Sequence, residues 1–249
     1  MKAIVLTFDM NHPITDHMIQ TYQAIWPSHP FVFRVPYQVF PRPLKHKYQD
    51  KVELIETPRD IKRTVLSLIA DLVDSDWIYW CIDDKFLLKI NEEKANDCYE
   101  WITHIDHDRI QGATFCRARR LLREENLDMA TWQRTPAGQV YVRRKNYYQF
   151  WIHQFMRVGV LRTLFQTFPD HPFHAKAMDA FTGQEPGMRV MEFSVDQEMY
   201  VSTENCASFG ESMHSGALTK LCRDSMLRHS IEVPEHYPIM DAHTIIGNL

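Results

Sequence analysis

Two adjacent carboxylates, Asp83 and Asp84, stand at the end of an unbroken apolar and aromatic run, Trp77-Ile78-Tyr79-Trp80-Cys81-Ile82. Such a run has the profile of a central strand covered on both faces. Side by side at the exit of that strand, two carboxylates repel each other and are costly to desolvate unless a cation, a donor or water compensates them. A divalent metal that also holds phosphate oxygens is the compensation that does chemistry. The plainer alternative is a turn whose acids cap the helix that starts near Glu92. A second polar cluster, Thr7-Phe8-Asp9-Met10-Asn11, closes the first apolar run of the chain. If the two runs are parallel strands of one sheet, both clusters face one crevice, because ligands of open α/β sheets bind outside the carboxyl ends of the strands.

The elements that would position these clusters are legible in the first half. Residues 3–8 form the first strand, and His12-Pro13 opens a helix in which Ile14, Met18, Ile19, Tyr22 and Ile25 recur at helical spacing before Pro27. Phe31 to Val35 and Lys51 to Ile55 are strand-like, while the stretch through Pro36, Pro41 and Pro43 is too proline-rich for a central strand. Thr57-Pro58-Arg59-Asp60 opens a helix reaching Val73, Glu92 to Ile105 is a second amphipathic helix, and Ile110 to Cys116 is a strand. This alternation predicts an α/β sheet with parallel pairs. The second half is less regular. An arginine-rich segment (Arg117, Arg119, Arg120, Arg123) precedes a short strand at Val140 to Val142. The pattern then predicts helices over 151–168, 173–181 and 217–227 and a strand over 189–193.

Composition narrows the classes of function. The 249 residues are 45% hydrophobic and 24% charged, which excludes a disordered or fibrous chain. A formal net charge of -4 leaves no basic footprint for nucleic acid. The five cysteines have no CxxC or CxH spacing, so neither a disulfide framework nor a zinc knuckle is expected. The apolar stretch Ala3 to Phe8 is too short for a signal-peptide core, and no stretch approaches a membrane span, so the expectation is a cytoplasmic protein with no integral membrane segment.

The run Ser75 to Leu87, following the predicted helix from Thr57 to Val73, resembles the centre of nucleotide-sugar-dependent glycosyltransferases of the GT-A fold, where a strand leads into an acidic motif and an aromatic residue. The resemblance is clearest over residues 1–116, and the aromatic segment Tyr147-Tyr148-Gln149-Phe150-Trp151 is similar to the acceptor-side stretch of some members. It implies a Rossmann-like, mixed and mostly parallel sheet flanked by helices. The domain would be single, with a nucleotide-binding half up to about residue 116 and a partly helical acceptor-side half after it. It also implies a nucleoside diphosphate-sugar donor, a glycan, lipid or small-molecule hydroxyl acceptor, and a divalent cation, Mn²⁺ or Mg²⁺, on the diphosphate.

Carried over by position, Asp84 and Asp83 match the metal-binding motif, while Ile82 stands where its first acid would be. The cation is then held by Asp84 with help from Asp83, or it is lost, with Lys85 or a nearby arginine meeting the phosphates. Thr7, Phe8 and Asp9 match the nucleoside-contacting strand exit, and Arg59, Lys62 and Arg63 match the donor-side helix. The family's late metal-binding histidine has its candidate in His214, beside small residues. Asp179, in the mixed apolar segment Ala177 to Phe181, is the expected base for the acceptor hydroxyl, ahead of Asp196 and Glu198. Two other readings share these residues. In a haloacid-dehalogenase-like phosphatase, Asp9 would be the nucleophile and Asp83-Asp84 would hold magnesium, although Asn11 cannot serve as its general acid. A degenerate transferase-like domain would bind nucleotide or glycan without turnover.

Overall fold

Strand and helix alternate from the first residues. The first half comprises β1 (Lys2–Leu6), α1 (His12–Ile25), β2 (Val32–Tyr37), β3 (Val52–Glu56), α2 (Ile61–Leu68), β4 (Trp77–Ile82), β5 (Lys85–Ile90), α3 (Glu92–His104) and β6 (Ile110–Thr114). The second half comprises β7 (Leu127–Arg134), β8 (Val140–Arg144), β9 (Gln154–Arg157), α4 (Val158–Thr167), α5 (Ala175–Thr182), β10 (Glu198–Ser202), β11 (Ala207–Glu211), β12 (Met213–His214), β13 (Ala217–Thr219), α6 (Lys220–Arg228), β14 (Ile239–Met240) and β15 (Ile245–Ile246). These elements belong to a computed structural model that describes residues 1–39, 50–105, 108–116, 126–147, 150–168, 170, 175–182, 192–194, 196–242 and 244–247.

Nine strands form one sheet in the order β3-β2-β1-β4-β9-β6-β10-β8-β7. β1 is parallel to both of its neighbours, and Lys2 through Leu6 stand opposite Ile78 through Ile82 of β4. The pairing continues one step past the strands, where the Asp83 amide donates to the Leu6 carbonyl at 3.2 Å. The exits of the two apolar runs therefore adjoin, as their sequence predicts. β9 is antiparallel to both β4 and β6, which ties the second half of the chain into the middle of the sheet. Two small sheets, β15-β11-β5 and β12-β13-β14, stand beside it.

Side chains alternate across a strand, so each apolar run feeds two cores. Ala3, Val5, Tyr79 and Cys81 pack with Met18 and Tyr22 of α1 and Ile102 of α3. Ile4, Leu6, Ile78, Trp80 and Ile82 pack with Val65 and Leu68 of α2 and Leu161 and Leu164 of α4. Burial of each such large side chain stabilises the fold by roughly 1.5–3 kcal/mol.

Several predicted elements are corrected. The expected helix over 151–168 starts as β9, because Gln154 to Met156 fill the slot between β4 and β6 and are buried on both faces; only Val158 onward is helical. The expected last helix starts as β13, and α6 begins at Lys220, where the Thr219 hydroxyl caps it by accepting from the Cys222 amide. α2 is shorter than predicted; Asp60 caps it and it ends at Leu68. Pro36 lies inside β2, past the last residue of β2 that pairs with β1, so its missing N–H breaks no bond of that ladder. The strand β5 directly after the acid pair was not expected, and it replaces the idea of a turn that merely caps the helix at Glu92. Pro41, Pro43, the arginines at 117, 119, 120 and 123, and most of the strand expected over 189–193 lie outside the described residues.

Four of the described histidines, His12, His17, His29 and His153, are buried within this frame, and the last three have strongly lowered pKa values. His17 meets the Ser225 hydroxyl at 2.8 Å, His29 the Gln23 amide nitrogen at 2.8 Å, and His153 the Tyr22 hydroxyl at 2.6 Å. Burial pushes the pKa of His17 and His153 down to about 3 and that of His29 down to about 4. All three values lie below the unfolded value, so the unfolded chain takes up protons first. Stability is then full above about pH 6.5 and falls below it, by up to about 1.4 kcal/mol per pH unit for each histidine, until the folded pKa is reached. Urea unfolding from about pH 6.5 down to about pH 5 is expected to show a falling midpoint, because the three histidines outweigh the one raised carboxyl, Asp83, whose protonation acts in the opposite direction. A midpoint constant over that range would show that these histidines are not buried in the neutral form.

Candidate active site

Asp83 leaves a strand covered on both faces, so its carboxyl group needs partners from the protein itself. They come from the exit of β1. Thr7 Oγ1 donates to Asp83 Oδ2 at 2.6 Å, Asn11 Nδ2 donates to the same oxygen at 2.9 Å, and Thr15 Oγ1 donates to Thr7 Oγ1 at 2.8 Å. Asn11 is in turn fixed by the Tyr237 hydroxyl, 2.5 Å from its Oδ1. Burial raises the Asp83 pKa to about 7, with the Thr7 hydrogen bond pulling against it and the Asp84 charge adding to the rise. Asp83 is thus a buried, hydrogen-bonded member of the junction between β1 and β4.

Asp84 faces a different environment. Lys85 Nζ lies 3.0 Å from Asp84 Oδ2 and 3.2 Å from Glu211 Oε1. β5 and β11 are antiparallel with Lys85 opposite Glu211, so the sheet register itself makes this pair. Gly210 permits the approach, since a Cβ there would lie 2.5 Å from the buried Phe86 ring. Burial works to lower the Lys85 pKa, but Asp84 and Glu211 more than offset it, and the ammonium is held charged. His214 Nδ1 lies 3.5 Å from Glu211 Oε2, with the imidazole about half exposed.

A cavity of about 380 Å³ opens over these groups. Thr7, Phe8 and Asn11 line it from the segment after β1, Asp83 and Asp84 from the turn between β4 and β5, Lys85 from the start of β5, and Glu211 from β11. Asp179 of α5 and Trp151 complete the polar part of the wall, and Ile61, Ile152 and Ile246 contribute apolar surface. The Trp151 indole N–H is buried and has no hydrogen-bond partner among the described residues.

Other predicted residues lie elsewhere. The Asp9 carboxylate accepts from the backbone amides of Gln38 and Val39 at 2.8 and 2.9 Å and does not line the cavity, so the nucleophile position of the phosphatase reading is spent on a loop. Lys62 Nζ reaches the carbonyl of Phe168 at 2.6 Å and Asp170 at 2.7 Å, and Arg59 and Arg63 are exposed; from this helix it is Ile61 that meets the cavity. Asp196 is exposed, and Glu198 accepts from the Tyr200 hydroxyl at 2.9 Å. Tyr147 and Phe150 are core residues, and Tyr148 and Gln149 lie outside the described residues. Asn11 belongs to the polar cluster expected to face the crevice, whereas Glu211 and Ile246 were not among the predicted site residues; for Glu211 no local signal exists, because only the pairing of β5 with β11 brings it to the acid pair.

These residues do not fit a divalent cation. Asp84 and Glu211 are already bridged by an ammonium, Asp83 is committed to Thr7 and Asn11, and Ile82 supplies no ligand. Among the described residues no three His, Cys, Asp or Glu side chains converge as metal donors.

A parallel β3-β2-β1-β4 core, an antiparallel strand beyond it and an acid pair at the exit of β4 give a mixed, Rossmann-like α/β architecture. Solved structures similar to it include a galactosyltransferase, TarS and a cytidylyltransferase. Galactosyltransferase LgtC, solved with donor and acceptor sugar analogues, shares 10% identity over 66% of this chain and 60% of its own, with a TM-score of 0.35. TarS of S. aureus, residues 1–349, shares 15% over 81% and 60%, with a TM-score of 0.41. The 2-C-methyl-D-erythritol 4-phosphate cytidylyltransferase of Francisella tularensis shares 12% over 79% and 91%, with a TM-score of 0.38. The chain spans about three fifths of the LgtC and TarS chains. No protein-family model and no curated sequence matches it. No helix among the described residues is long and apolar enough to cross a membrane.

Replacing the Thr7 hydroxyl by a methyl group leaves a buried carboxyl short of a donor. Thr7→Val is expected to lower the unfolding free energy by about 1–3 kcal/mol in the absence of any ligand, measured by urea titration. Unchanged stability would mean that Asp83 does not depend on this hydroxyl.

Proposed function

We propose that the protein transfers a sugar from a nucleoside diphosphate-sugar to a hydroxyl group of an acceptor. The observation that carries this reading is one cavity in which the exits of two parallel strands, a charged cluster and a separate carboxylate converge. Its volume is within the range of small-molecule sites, about 300–1,000 Å³. Phe8, at the exit of β1, offers a partly exposed ring for a base, and Thr7 and Asn11 supply polar groups beside it. Lys85, the basic side chain of the charged cluster in the cavity wall, is the group that suits the diphosphate. Trp151 and Ile152 form the wall on which a sugar packs.

The reaction requires the acceptor oxygen to bond to the anomeric carbon while the bond from that carbon to the diphosphate oxygen breaks. The acceptor proton goes to a base, and Asp179, in the cavity wall and away from the charged cluster's strands, has the chemistry for that role. A fixed positive charge near the leaving diphosphate, here the Lys85 ammonium, stabilises the negative charge that develops there.

Incubation with a panel of nucleoside diphosphate-sugars and sugar acceptors, read by mass spectrometry, is expected to release a nucleoside diphosphate and form a glycoside. Asp179→Asn is expected to lower kcat by about 10²–10⁴ with nucleotide affinity unchanged. Release of pyrophosphate from a nucleoside triphosphate and a sugar phosphate would instead assign nucleotidyl transfer. A full rate in Asp179→Asn would remove this residue from the chemistry.

A further inference from the structure

We infer that Lys85 is the protein's own cation for the donor diphosphate, so that donor binding requires no divalent metal ion. The inference rests on the proposed sugar transfer and deepens it. An ammonium has three N–H donors. Asp84 and Glu211 take two of those of Lys85, and the third has no partner among the described residues, on a side chain that lines the cavity. The Lys85 side chain is only 8% exposed, so its charge acts in a medium where it is little screened by water.

The same geometry works against a metal ion. To use Asp84 and Glu211 as ligands, a divalent cation would have to displace the ammonium that bridges them or share a buried pocket with it, at a like-charge cost that rises as the surroundings become less polar. Among the described residues no other basic side chain lines the cavity: Lys62 is engaged with Phe168 and Asp170, and Arg59 and Arg63 lie outside it. Asp84 keeps 35% side-chain exposure against 18% for Glu211. It is the partner able to turn toward solvent when a phosphate arrives, which frees a second N–H and removes one negative charge from beside the anion. Glu211, fixed opposite Lys85 by the sheet register, keeps the ammonium in place.

Isothermal titration of the full chain with UDP, GDP, CDP, ADP and dTDP, each in EDTA and in Mn²⁺, tests this. At least one nucleotide is expected to bind with a Kd that agrees within about threefold between the two conditions, and Lys85→Gln is expected to weaken it about tenfold or more. Glu211→Gln, which takes a negative charge from beside Lys85, is expected to bind as tightly as the wild type or more tightly in EDTA; a metal ligand at that position would behave in the opposite way. Binding that appears only with Mn²⁺, or a tenfold loss in Glu211→Gln in EDTA, overturns the inference and leaves the proposed transfer standing. No binding of any nucleotide in either condition overturns both. If a thermal melt shows that Lys85→Gln does not fold, the wild-type comparison and Glu211→Gln still decide.

Discussion

A carboxyl group at the end of a strand covered on both faces must be compensated from within the protein, and the candidate site is organised around that requirement. Asp83 meets it through Thr7 and Asn11, which are within reach only because β1 and β4 run side by side in the same direction. Asn11 is held by Tyr237 from the last part of the chain, so the compensation of one acid links the first strand, the fourth and the C-terminal segment. Asp84 meets the same requirement through Lys85, and Lys85 through Glu211. One electrostatic demand thus fixes which elements have to converge at this edge of the sheet.

The floor beneath these groups is unusually polar for a core. Tyr22 and Tyr79 hydroxyls lie 2.9 Å apart, Tyr22 also bonds His153 Nδ1, and His153 Nε2 lies 2.9 Å from the Ile82 carbonyl, directly before the acid pair. With Nδ1 accepting from Tyr22 and Nε2 donating to Ile82, every member is satisfied by a neutral imidazole. Aromatic rings surround the network: Phe31 stacks on Tyr79 at 4.2 Å, and Phe115 lies parallel to Tyr79 at 5.9 Å. Close-packed rings and satisfied hydrogen bonds leave the backbone at the exit of β4 little freedom, which is what a preorganised charged site needs.

The second half of the chain supplies the parts that close the cavity. β9 locks against β4, and its preceding turn delivers Trp151 and Ile152; α5 delivers Asp179; β11 and β15 deliver Glu211 and Ile246. These contributions come from segments far apart in sequence, so the cavity exists only once the whole sheet has formed.

Local pattern was enough for the frame. Residues 77–82 and the first strand are continuous apolar runs because both of their faces are buried, and the apolar residues of α1 and α3 recur at the helical period; those signals depend on burial alone and survive without knowledge of any partner. They placed the acid pair, Thr7 and Phe8 at one crevice, and Asp179 was singled out from its apolar surroundings. What pairs with what was decided by tertiary structure. β9 looked helical because a strand buried on both faces has no period to distinguish it from a short apolar helix segment. Arg59, Lys62, Arg63 and Asp9 have the composition of ligand-binding residues, yet their side chains point to solvent, to a neighbouring helix end or to a loop. Glu211 carries no sequence signal at all: its place opposite Lys85 follows from an antiparallel register between strands that are remote in the chain, and register is a property of the assembled sheet.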